Sequence, residues 1–151
     1  MPQVNFNWII LLPILAGAAV ATQTALNGQL RVVVNSPLLA ALISFSVGTL
    51  VLVTLVLLTK QEIPQLSQLS GAPWYKFAGG FLGAFFITSV IVSVQRMSVA
   101  NLLAMVVAGQ LITALLFDHF GLLGIKQNSL TLTRALGAIA LIIGAYLINR
   151  K

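Results

Sequence analysis

Five apolar stretches, at about residues 8–30, 38–59, 74–94, 100–117 and 132–148, contain only two charged residues between them, Lys76 and Arg134. A helix needs about 20 predominantly apolar residues to cross the hydrocarbon core of a bilayer, because it rises only ~1.5 Å per residue against a thickness of ~30 Å. Stretches of this length and purity leave the chain little choice of solvent. With 59% hydrophobic residues, 7% charged and a mean hydropathy of +1.05, there is too little polar surface to coat a water-soluble globule. The pattern predicts an all-α integral membrane bundle of five transmembrane helices, forming a single transmembrane domain over residues 1–151.

The span boundaries follow from polar punctuation. The leader Met1–Asn7 carries no Lys or Arg, and the apolar run behind it is too long for a signal peptide's core, so the first span is expected to be retained. Pro13, close to Trp8, predicts a bend near the start of that span. Ser36-Pro37 is a helix start, since Pro lacks the N–H that would go unpaired in the first turn. Lys60–Pro73 is the one polar linker, and Trp74-Tyr75 with Lys76 is a headgroup-level anchor. From Trp74 to Phe117 is 44 residues, about 66 Å as one helix, roughly twice the hydrocarbon thickness. The chain must turn back, and Gln95, Arg96, Ser98 and Asn101 are the polar cluster that marks the turn. The uncharged core of the fifth stretch, Ala135–Ile148, has only 14 residues, but Leu130–Thr133 extend it backwards and Arg134 can snorkel to the nearer interface.

Threaded as five spans, the chain places Lys60, Lys76, Lys126 and Arg134 on one side and Arg31, Arg96, Arg150 and Lys151 on the other. Orientation normally follows an excess of Lys and Arg on the cytoplasmic side, and four against four supplies none. Such a chain is expected to insert both ways and to pair with an inverted copy as an antiparallel homodimer, with a twofold axis in the membrane plane. The other explanation is a chance tie, with orientation set by a partner or lipid. The net charge of +6 sits singly at span ends, without interleaved aromatics, so no nucleic acid partner is expected. With one His, two acids and no Cys, neither an enzyme, nor a metal site, nor a cofactor is expected.

Polar groups inside spans are the candidates for function, because an amide or hydroxyl in hydrocarbon needs a partner. Gln23 and Asn27 lie one turn apart on the first span, Gln110 and Thr113 near the middle of the fourth, and Asp118-His119 at its end. Gln23, Asn27, Gln110, Thr113 and Asp118 are candidate substrate contacts, with interhelical hydrogen bonding as the structural alternative. For Asp118-His119 that alternative is a solvated helix terminus. Small residues at helical spacing, Gly17 and Ala21, Gly79 and Gly83, and Gly137 and Gly144, are candidate packing positions where backbones approach closely.

Several segments taken together resemble the YdcZ-like family of small inner-membrane proteins in the drug/metabolite transporter superfamily. They are Ala16-Gly17 through Thr22-Gln23 to Asn27, Ser36-Pro37-Leu38-Leu39-Ala40 leading to Phe45 and Gly48, Pro73-Trp74 with Gly79-Gly80 and Gly83, and Ala108-Gly109-Gln110 running to Asp118-His119-Phe120-Gly121. The resemblance implies five spans in a bacterial inner membrane and an antiparallel arrangement. Membership of that superfamily points to a secondary transporter of an unidentified small molecule. Apart from the resemblance, the polar residues of the spans leave a passive dual-topology channel, or a structural partner subunit of another membrane protein, as alternatives. Small multidrug resistance proteins, also antiparallel dimers, have a carboxylate in their first span. Here that span offers Gln23 and Asn27 instead.

Overall fold

The computed structural model describes residues 8–150; the leader Met1–Asn7 and Lys151 lie outside the described residues. Among the described residues, five helices are long and apolar enough to cross a membrane, and no strand forms. The chain divides into two compact units, 1–96 and 97–151.

The first unit holds α1 (Trp8–Val34), α2 (Pro37–Leu58), a short α3 (Leu66–Ser70) and α4 (Ala78–Ser93). Helix α1 continues through Pro13 and runs to Val34, past the expected end at Leu30. Arg31 lies in its last turn, where a cation complements the negative end of the helix dipole, and the three valines that follow keep the helix apolar. Asn35 then takes the left-handed conformation at φ 50°, which asparagine tolerates better than most side chains. Ser36 caps α2 by accepting from the Leu39 N–H at 3.3 Å, and Pro37 occupies the first turn, as its missing N–H predicts. Two residues thus suffice to reverse the chain.

The polar linker is not wholly a loop, because α3 forms within it, with the Gln65 N–H donating to Gln68 Oε1 at 3.2 Å. A 3-10 turn over Trp74–Phe77 precedes α4, leaving Trp74 and Tyr75 exposed, as suits aromatics at the headgroup level. Helices α1, α2 and α4 pack around Ala40, Ala41, Ile87 and Ile91, with Leu30 and Val34 against them. Alanines on α2 meeting isoleucines on α4 let the helices approach closely, which matters where lipid gives no hydrophobic drive to association.

The second unit is a hairpin of α5 (Val99–Phe120) and α6 (Leu132–Asn149). Ser98 caps α5 through the Asn101 N–H, and Thr131 caps α6 through the Arg134 N–H. The expected turn at Gln95–Ser98 is present, whereas α5 runs past Phe117 to include Asp118 and His119 in its last turn. It ends on Gly121 at φ 63°, the left-handed terminal position that glycine fills without steric cost. The 18 residues of α6 amount to about 27 Å, close to the ~30 Å of the apolar core and within the range of lengths that cross it.

A methyl group at Gly121 would sit 3.4 Å from Gln127 Cβ and 3.5 Å from the Ile125 carbonyl, in a conformation that L side chains avoid. Gly121→Ala is expected to lower stability by about 1–2 kcal/mol. Gly79→Ala, with open space around the glycine, is not expected to lower it. Thermal unfolding of both purified variants, followed by circular dichroism, checks the contrast.

Candidate functional site

Each unit contributes one organised set of polar side chains. In the first, Thr24 and Asn27 of α1 are buried, while Gln23 remains exposed. Helical geometry accounts for the difference: Thr24, Asn27 and Gly28 follow an i, i+3, i+4 spacing on one inward face, and Gln23 precedes Thr24 by about 100°. Thr24 satisfies its hydroxyl within its own helix, donating to the Val20 carbonyl at 2.8 Å. Gly28 makes a close approach to the end of α4. A Cβ there would stand 3.0 Å from Val94 Cγ1, and its carbonyl accepts from Gln95 Nε2 at 3.0 Å.

Between these satisfied groups, Asn27 is 5% exposed, and its Nδ2 has no hydrogen-bond partner among the described residues. A buried amide donor left unmade costs about 1–3 kcal/mol. Such a group seeks an acceptor oxygen. Nothing titratable stands with it in this cluster, so the chemistry on offer is recognition by hydrogen bonding.

In the second unit the polar groups are joined to one another. Asp118, near the end of α5, forms an ion pair with Arg134 in the first turn of α6. Arg134 also donates to the Asn128 carbonyl at 2.8 Å, and the Asn128 N–H donates to the Asp118 carbonyl at 2.8 Å. His119 takes part on both sides: its carbonyl accepts from Gln127 Nε2 at 2.9 Å, and its Nδ1 accepts from the Leu130 N–H at 3.1 Å. Asp118-His119 is therefore a clasp that orders the α5–α6 connection, with every named partner inside the unit. At the far end of the hairpin, Asn149 donates to the Ala145 carbonyl at 2.8 Å and lies 3.5 Å from that of Asn101.

Gln110 and Thr113 sit on an exposed part of α5. Thr113 donates to the Gly109 carbonyl at 3.0 Å, whereas the Gln110 amide makes no hydrogen bond among the described residues. Of the candidate packing glycines, Gly83 lies against a neighbour, the Phe45 ring, at 3.6 Å from where its Cβ would be. Gly17 and Gly79 have open space around them. Gly137 and Gly144 are also open and line a groove of about 510 Å³ between α5 and α6, whose floor is largely alanine and glycine.

Thr24, Gly28, Gln95 and Arg134 are the participants that residue-by-residue inspection passes over. The Thr24-x3-Gly28 spacing, one step round from Gln23-x3-Asn27, is the available signal for the first two. Gln95 looks only like a turn residue, and Arg134 only like an interfacial anchor, because both partnerships are made by tertiary contact.

Asp118→Asn or Arg134→Gln is expected to cost about 1 kcal/mol, since the pair is partly exposed and screened. The larger effect is expected locally: backbone amides over 125–131 should exchange faster with deuterium in either variant. Unchanged exchange there would mean that the connection is held by other contacts.

Comparison with known proteins bears on the whole chain. The family model described as "Putative inner membrane exporter, YdcZ" matches residues 8–147. The inner membrane protein YdcZ of Escherichia coli (strain K12) is 32% identical over 139 residues, covering 91% of this chain and 92% of that protein. No solved structure matches the chain.

Proposed function

The chain belongs to the YdcZ family of multi-pass inner membrane proteins, and we propose that it is a secondary transporter exporting a small molecule, working as an antiparallel homodimer of oppositely inserted copies. The observation that carries this proposal is Asn27, whose amide is buried at a helix contact with its donor unused. Membrane proteins retain such groups where a ligand, or a second conformation, supplies the missing partner.

Export is the direction named in the family description, and it is adopted here on that ground. The antiparallel pairing is supported by the four-to-four division of Lys and Arg. It is supported also by the length of α6, which is needed to carry Arg150 to the side opposite Arg134. Gln110, Thr113 and Gln23 remain proposed substrate contacts in addition to Asn27, since their amides and hydroxyl are exposed on apolar helices, where a polar group needs a partner. Asp118 is proposed to contribute through the order of the α5–α6 clasp. A downhill channel is favoured by one fact: Asp118 stands at a helix end in an ion pair, leaving no carboxylate at mid-span to carry a coupling proton. Accumulation of substrate in sealed vesicles against its own gradient separates the two mechanisms.

Two measurements test the proposal. Asn27→Leu, similar in shape and without the donor, is expected to raise stability by about 1 kcal/mol while export falls, because the orphaned amide is removed. A loss of stability instead would mean that Asn27 serves packing. The absence of Cys allows Ser67→Cys, exposed on α3, to be labelled in intact cells by an impermeant thiol reagent. About half-labelling, completed once the cells are opened, is expected of two orientations. Labelling that is complete or absent in intact cells excludes the antiparallel homodimer.

A further inference from the structure

Inside the first unit, α4 and the start of α2 border a groove of about 570 Å³. Its lining changes character along its length: Phe81 and Phe85 lie at one end, Thr88 and Ser89 in the middle, and Ser93 near the other, beside Leu38. Phe81 to Ser93 is 12 residues, about 18 Å along the helix. That length accommodates a small organic molecule.

The hydroxyls are the informative part. Thr22, Thr24, Thr54, Thr59 and Thr113 each satisfy their hydroxyl by donating to the carbonyl four residues back, the usual solution in an apolar helix. Among the described residues, Thr88, Ser89 and Ser93 make no side-chain hydrogen bond; Ser44, Ser46 and Thr49 on α2 make none either, but Thr88, Ser89 and Ser93 stand together in the lining of one groove. Three free hydroxyls on one face of a helix in hydrocarbon are costly unless what covers that face can bond to them, and an acyl chain cannot. The lining also contains no charged residue, so a cation or carboxylate entering the groove would lose its hydration with nothing to compensate it.

We propose that this groove binds a small uncharged amphipathic molecule, its aromatic or apolar body against Phe81 and Phe85 and its hydroxyl, carbonyl or amide group bonded to Thr88, Ser89 and Ser93. This deepens the transporter reading, and rests on it, by naming the substrate class: neutral compounds with one apolar end and one hydrogen-bonding end. An aromatic face gives such a ligand area and stacking, while rotatable hydroxyls accept or donate as the ligand requires. A groove of this kind discriminates by the hydrogen-bonding group and by charge more than by the shape of the apolar end.

The test uses the purified full-length protein in lipid nanodiscs with 4-benzoylbenzyl alcohol, a neutral photoreactive aromatic alcohol. Its quaternary ammonium and carboxylate counterparts serve as charged comparators. Adducts mapped by mass spectrometry are expected within residues 81–93. Removal of hydroxyls in Thr88→Val with Ser89→Ala is expected to reduce labelling about fivefold for each hydrogen bond lost. Thr54→Val, whose hydroxyl is satisfied within α2, leaves labelling unchanged, and Thr88→Ser retains it, which separates loss of the site from misfolding. The proposal is overturned if the double variant labels as well as the parent, if the charged comparators label residues 81–93 equally, or if no adduct forms there. The last result would mean that the face is sealed by protein, whether a second copy or the rest of this chain. Transport of the same alcohol in proteoliposomes keeps the two ideas apart. Hydroxyl-dependent labelling without gradient-driven uptake would leave the site standing and remove the transporter, whereas uptake with hydroxyl-independent labelling would do the reverse.

Discussion

Hydrocarbon offers no hydrogen bonds, and that constraint governs both the fold and its exceptions. Every backbone N–H and C=O in a span must be paired within the chain, so the five apolar stretches become helices, and the turns between them are capped rather than left open. Ser36, Ser98 and Thr131 each place an oxygen where a helix would otherwise begin with unpaired donors. The same accounting extends to side chains. Most span threonines close on their own helix, which makes them neutral to lipid and to neighbouring helices alike.

Against that background the two units differ in where polarity is left unpaired. The α5–α6 connection consumes what it has: Asp118, His119, Gln127, Asn128 and Arg134 bond to one another and leave an ordered turn, while the Gln110 amide farther up α5 stays unpaired among the described residues. The three-helix unit leaves groups unspent, with the Asn27 amide inside and the hydroxyls of Thr88, Ser89 and Ser93 along α4. An unsatisfied buried donor and unsatisfied hydroxyls have no benefit to folding that would explain their presence. The buried Asn27 donor and the hydroxyls that share one groove are the reason for placing recognition in the three-helix unit, with Gln110 as the unpaired amide that the hairpin adds to it.

Much of the fold was legible because spans are long and the bilayer removes alternatives. The five helices, the Ser36-Pro37 start and the turn at Gln95–Ser98 all follow from length and polar punctuation. The helix ends were less legible: α1 and α5 overrun their expected limits because Arg31 and His119 are compatible with a last turn, where their charge or polarity suits the helix dipole. The site was legible only in part. Residue type marks Asn27 and Asp118, but whether an amide is paired depends on what a distant segment brings to it. Gln95 reaches Gly28 across 67 positions, and Arg134 reaches Asp118 across 16. No local pattern announces either contact.

The proposed double insertion depends on the last helix, and the clasp strengthens it at one end. A cation's side is normally inferred from its place in a loop, but Arg134 is tied to the last turn of α5, so it shares that end of the hairpin with Lys126 by bonded geometry. Arg150 follows 16 residues later, about 24 Å along α6, which is most of the hydrocarbon thickness. Within an inserted hairpin, the two arginines therefore stand at opposite interfaces. Even if Arg134, paired with an acid, counts for less than a free cation, the balance shifts by only one residue, to three against four. Failure of α6 to cross would shift it to six against two. A chain poised this close to equality responds to single charges. Adding or removing one lysine at a span end should therefore bias its orientation far more than it would in a protein whose loops differ by several charges.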